Sequence, residues 1–149
     1  MDVFNIYSEL RALYNAMLSL SGRQNDVLQT LYEDAAGEEE KEDNVNSYSR
    51  LNEFFAQRDH LEKTIDGHNE RLRQINIAPE LLKKINDEKA EISKAIIKIQ
   101  NVDKKNQQLL TDVKNELEKK LGRIKKNQQA NTAYSPNFDN EPWFLDSKK

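Results

Sequence analysis

A chain of 149 residues and 17.4 kDa has room for one domain. One third of it is charged, mean hydropathy is -0.93, and four Gly and three Pro are too few to punctuate a sandwich, a barrel or a βαβ fold, so the composition favours long amphipathic helices. Cysteine is absent, which removes disulfides, thiolate metal sites and thiol nucleophiles together.

The first predicted helix spans about 3–35. Ile6, Leu10, Leu13, Met17, Leu20, Gln24, Val27 and Leu31 recur at alternating spacings of four and three, and all but Gln24 are apolar. That spacing draws one narrow stripe facing a partner helix. Phe4, Tyr7, Tyr14, Leu18 and Leu28 widen it, and Gly22 weakens the helix locally. An acidic loop is expected over 36–46. From Glu33 to Asp43 seven acids face a single Lys41, and such a block repels itself and stays solvated.

The second helix is predicted over 47–76, with Asn46 or Ser47 as N-cap. Its trace reads Leu51, Phe54, Arg58, Leu61, Ile65, His68, Leu72 and Ile75, with Arg58 and His68 as polar intruders. Pro79 ends it, because the residue before a proline is pushed out of the α region, and suits the first turn of the next helix. Arg58 is expected to snorkel or pair at the core edge, and His68 to sit at the boundary of the bundle.

The third helix is predicted over 79–129, on Leu82, Ile85, Ile92, Ile96, Ile99, Asn106, Leu110, Val113, Leu117, Leu121 and Ile124. Asn106 at an inward position is a register-setting residue. At about 1.5 Å per residue this helix extends about 75 Å and the first two about 45 Å each. An all-α, antiparallel bundle of three long helices therefore leaves roughly 15 to 20 residues, around Leu110 to Ile124, overhanging with an apolar stripe that wants a partner. The last stretch, 130–149, is expected to be a non-helical tail because Pro136 and Pro142 interrupt it. Four of the eleven aromatics (Tyr134, Phe138, Trp143 and Phe144) fall in its neighbourhood, which points to rings that dock.

Catalytic and metal chemistry finds no footing. There is no phosphate-cradling Gly loop, no GxSxG elbow and no HExxH. His60 and His68 are two turns apart, where paired helical ligands need a spacing of three or four. The stretch 79–129 carries thirteen Lys/Arg against eight Asp/Glu, but it contains one Arg and no aromatic, so nucleic-acid stacking and base reading lack their tools. No apolar run reaches the roughly 18 residues of a membrane span, and the opening MDVFNIYSEL lacks a signal-peptide layout. The sequence thus predicts no enzyme, no cofactor, no metal, no nucleic acid and no membrane insertion.

Ile99-Gln100-Asn101-Val102-Asp103-Lys104-Lys105-Asn106, then Leu109-Leu110 and a Lys/Glu/Leu helix ending Ile124-Lys125-Lys126, resembles the FliT-type flagellar export chaperones of Gram-positive bacteria. The Asp-x-x-Asn step belongs to that pattern. So do Ala133-Tyr134 after the helix and the ending Trp143-Phe144-Leu145-Asp146-Ser147-Lys148-Lys149, where Ser147 stands in place of a more typical basic residue. Leu61-x-x-x-Ile65 after Arg58-Asp59 also resembles the family's second helix, so the likeness covers about 51–149.

The resemblance implies a cytoplasmic, all-helical chaperone without ATPase activity. Such a chaperone holds the helical C-terminal segment of the flagellar filament-cap protein before type III export and blocks its assembly. Export-apparatus components are the further partner it implies; the overhanging stripe itself leaves self-association with a second copy of the chain, or shelter by the tail, as alternatives to a client helix. The partner-binding residues expected are Leu110, Val113, Leu117, Leu121, Ile124, Tyr134, Phe138, Trp143 and Phe144. Two other readings stand beside it: a chaperone of hook-filament junction proteins, and a structural coiled coil that self-associates.

Overall fold

A computed structural model describes residues 2–37 and 44–134, less the side chains of 44, 45 and 131–134. Helix α1 runs Val3–Ala36, α2 runs Asn44–Arg73, and α3 runs Leu82–Tyr134, preceded by a short 3-10 turn Pro79–Leu81. Among the described residues there is no strand, and the fold is an all-α bundle. The chain divides into two compact units, Met1–Val113 and Lys114–Lys149.

Each helix end has a local cause. Asp2 caps α1, its Oδ1 accepting from the Asn5 N–H at 2.8 Å and satisfying one of the orphan donors of the first turn. Gly37 closes α1, its N–H donating to the Glu33 carbonyl. The second helix begins at Asn44, earlier than predicted, so Asn46 and Ser47 are interior residues rather than caps. It also ends earlier, at Arg73. The N–H groups of Gln74 and Ile75 reach back three residues to Arg71 and Leu72, tightening the last turn before the chain extends towards Pro79. Pro79 opens the 3-10 turn, with Ala78 extended before it. At the far end α3 continues past Gln129 to Tyr134, correcting the expected start of the tail at residue 130. Ala130 to Tyr134 contain neither Gly nor Pro, and the first obstacle to helix is Pro136, which disfavours the α region at Ser135.

Within the first unit, cross-helix contacts give the directions. Arg11, Ser21 and Asn25 of α1 meet Glu88, Asp103 and Asn106 of α3, a rising series, so these two helices run parallel. Arg58 of α2 meets Ser21, whereas His68, later in α2, meets Glu9, earlier in α1, so α2 runs antiparallel to both. Two apolar clusters form the core. One gathers Ile6, Leu10 and Met17 with Ile65, Ile92 and Ile99; the other gathers Leu20, Val27, Leu28 and Leu31 with Leu51, Phe54 and Val113. The stripe positions of α1 are buried, except Leu13, which is half-buried. Ile85 is fully buried and Ile6, Leu28 and Leu31 are 1% exposed, so each of these side chains contributes about 1.5–3 kcal/mol of burial free energy.

Candidate partner-binding surfaces

A polar layer interrupts the core, and it decides how the three helices are registered. Arg58 projects from α2, and Nη1 and Nη2 donate to Oδ1 and Oδ2 of Asp103 on α3, at 2.7 and 2.5 Å. This is the two-pronged guanidinium–carboxylate geometry that a lysine cannot reproduce. Ser21 of α1, wholly buried, donates from Oγ to Asp103 Oδ1 at 3.0 Å and accepts from Arg58 Nη1 at 3.3 Å. Arg58 Nε donates to Glu62, one turn along α2. Asn106, a turn beyond Asp103, donates to the Ser21 carbonyl at 3.0 Å and accepts from Asn25 at 3.0 Å.

The hydrogen bond to Asp103 is the largest influence on the Arg58 guanidinium. It raises the pKa against the opposing effect of desolvation, with Glu62 adding to the rise. Arg58 is therefore a permanent cation held by three helices' worth of acceptors. The layer acts by position: it pins Ser21, Arg58 and Asp103 at one level.

His68 is buried beside the first cluster. Its Nε2 lies 3.0 Å from Glu9 Oε2, while its Nδ1 is buried without a hydrogen-bond partner. His60 lies elsewhere on α2 and is exposed. Among the described residues, no group of three or more His, Asp or Glu side chains could hold a metal ion.

The residues singled out for partner binding fall into different settings. Val113 is 4% exposed and belongs to the core with Leu31 and Phe54, so it is no part of an open stripe. The sequence put it on the same helical face as Leu110 and Leu117 without knowing where α1 and α2 would cover that face. Leu110, in the first unit, is 36% exposed. In the second unit Leu117 and Ile124 are 41% and 43% exposed, and Leu121 between them is half-buried. Spacings of four and three put these three on one face of α3. Tyr134 ends α3 with its side chain outside the described residues, and Phe138, Trp143 and Phe144 lie outside them entirely.

Two clefts in the first unit had no signal in the apolar periodicity. One, of about 550 Å³, is lined by Asp2, Phe4, Leu81, Lys84, Asp87 and Glu88, with Glu88 Oε2 buried and unpartnered. The other, of about 470 Å³, lies between α1 and α2 and is lined by Ala16, Leu20, Arg23, Ala56, Gln57, His60 and Leu61. Only the small size of Ala16 and Ala56, on the nominally polar side of each helix, could have betrayed it. No helix among the described residues is long and apolar enough to cross a membrane. Compared with protein-family models, with curated proteins and with solved structures, the chain finds no significant match.

Proposed function

We propose that this chain is a cytoplasmic, non-enzymatic export chaperone of the flagellar type III pathway. It holds the helical C-terminal segment of a filament-cap protein against an apolar helix face and keeps that segment from assembling. The observation that carries the reading is the open face of α3 at Leu117 and Ile124, flanking Leu121, on a helix whose Ile85, Ile92, Ile99 and Val113 are already used by the core. A helix face with an exposed leucine and isoleucine two turns apart and a half-buried leucine between them is a surface for an amphipathic helix. Around it lie Lys114, Lys119, Lys120, Arg123, Lys125 and Lys126 against Glu116 and Glu118, a basic rim that favours an acidic client. The all-α bundle and the residues that resemble the FliT-type family support the same reading.

Isothermal titration of the cap protein's C-terminal segment into the wild type and into Leu117→Asp tests this proposal. The expected result is saturable binding to the wild type and at least about a tenfold loss in the variant, since an unpaired carboxylate would be buried under the client. Equal affinities would refute it. Binding only of a hook-filament junction protein would move the function to that sister class of client.

A further inference from the structure

The groove between α1 and α2 lies in the first unit, shares no residue with the α3 face on which the proposed function rests, and has its own chemistry. Its floor is Leu20, which is buried, and Leu61, which is half-buried; its walls are notched by Ala16 and Ala56, whose side chains end at Cβ. The space left, about 470 Å³, is large enough for a bulky apolar side chain. No carboxylate lines it: the polar members are Arg23, Gln57 and His60.

Arg23 is the informative residue. Lys63, Arg73, Lys94 and Lys119 each pair with an acid one turn away on their own helix, at 2.9–3.2 Å. Arg23 makes no ion pair among the described residues, although Asp26 stands three residues further along. Its guanidinium instead lies 5.8 Å from the centroid of the Phe54 ring. Set over that ring, Arg23 lines the groove with its N–H donors unspent. Arg23 is one helical turn from Leu20, so an anion that met it would stand about one turn from whatever filled the notch.

We propose that this groove is a docking site for a partner helix that presents one bulky apolar side chain to Ala16, Leu20, Ala56 and Leu61 and, one turn away, a carboxylate to Arg23. Two antiparallel helices offer a third a continuous valley, which is how a helix is taken up by helix-in-groove recognition. The lone cation and the absence of an acid in the lining select an acidic segment over a basic one.

The test is a two-dimensional amide NMR titration of the full-length protein with a probe peptide. The probe is an acetylated, amidated alanine–glutamine helix of about five turns, carrying one Phe and, four residues later, one Glu. Saturable shifts at Ala16, Leu20, Ala56 and Leu61 are expected at millimolar peptide. Replacing the peptide's Phe by Ala should weaken binding about tenfold. Replacing its Glu by Gln should weaken it about two- to fivefold, and Arg23→Gln should do the same without adding to the Glu replacement. Ala56→Leu, a filling substitution at an exposed position, should abolish the shifts while melting as the wild type does.

Shifts confined to other surfaces, or binding indifferent to both the peptide's Glu and Arg23, would overturn the proposal. Two further results would also overturn it by assigning a different occupant. Groove resonances that move when the protein alone is diluted would place a second copy there, and cross-peaks from the Trp143 ring to the Leu20 or Leu61 methyls in the free protein would place the chain's own C-terminal segment there.

Discussion

Removing the Asp103 carboxylate should expose how much the polar layer contributes. In Asp103→Asn the shape is kept, but Arg58 loses its ionic partner and one of its two acceptors, because an amide nitrogen now faces a guanidinium N–H. Breaking a buried pair by removing one partner costs about 3–5 kcal/mol. Here the Arg58 and Asp103 side chains are 24% and 30% exposed, so water recovers part of that loss, and Glu62 still accepts from Nε. The Ser21 hydroxyl, wholly buried, keeps an oxygen to donate to only if the new amide turns that way. These effects together give about 2–3 kcal/mol, or roughly 5–10 °C in melting temperature for a chain of this size.

Urea unfolding followed by far-ultraviolet circular dichroism measures the change as a shift of midpoint at constant slope. The double change Arg58→Leu with Asp103→Leu should recover most of the loss, because it leaves no unpaired charge behind. A cost under about 0.5 kcal/mol for Asp103→Asn, or a double variant as unstable as the sum of the singles, would refute the reasoning.

Four further outcomes follow from the same geometry. Asn106→Ala, which strands the Asn25 side-chain amide, takes the second donor from the Ser21 carbonyl and leaves a void, should cost about 1–2 kcal/mol, while Asn106→Leu should keep stability but broaden the distribution of oligomers seen by light scattering. Leu31→Ala, at a site 1% exposed, should cost about 2–5 kcal/mol by denaturant unfolding; Leu117→Ala, 41% exposed, should stay within about 0.5 kcal/mol. Asp2→Ala should remove the α1 cap at about 1 kcal/mol and speed hydrogen exchange in the first turn of α1 before it changes the core. Arg58→Lys should behave like a loss rather than a conservative swap, since one ammonium cannot bridge both Asp103 oxygens; a melting temperature equal to that of the wild type would count against the two-pronged pairing.

The helices were legible because their signal is local. A spacing of four and three survives in any window, so Ile6 to Leu31 and Ile85 to Ile99 announced their buried face before any neighbour was known. Pro79 announced the break between α2 and α3, although it starts a 3-10 turn and α2 stops three residues before the predicted end. The inward Asn106 and the paired Arg58 were legible as types, being polar residues at apolar positions. Their partners were not: Asp103 fills the heptad position between Ile99 and Asn106, Ser21 sits one step off the α1 stripe, and they are 45 and 37 residues from Arg58 in the chain. Periodicity says which face is buried but not where the covering helices stop. For that reason Val113 and Leu117, alike in sequence context, end up 4% and 41% exposed. The α1/α2 groove was invisible for the opposite reason: Ala16 and Ala56 read as neutral helix formers, and only their meeting across two helices makes a notch.

The chaperone reading is tested most directly by the mass of the species formed when the purified full-length chain is mixed with the C-terminal segment of a filament-cap protein, measured by size exclusion with light scattering. A discrete complex of one 17.4 kDa chain with one client segment, lost in Leu117→Asp, is the predicted result. A homodimer that persists in the presence of the segment, and that Leu117→Asp splits into soluble monomers, would contradict it and assign the α3 face to self-association.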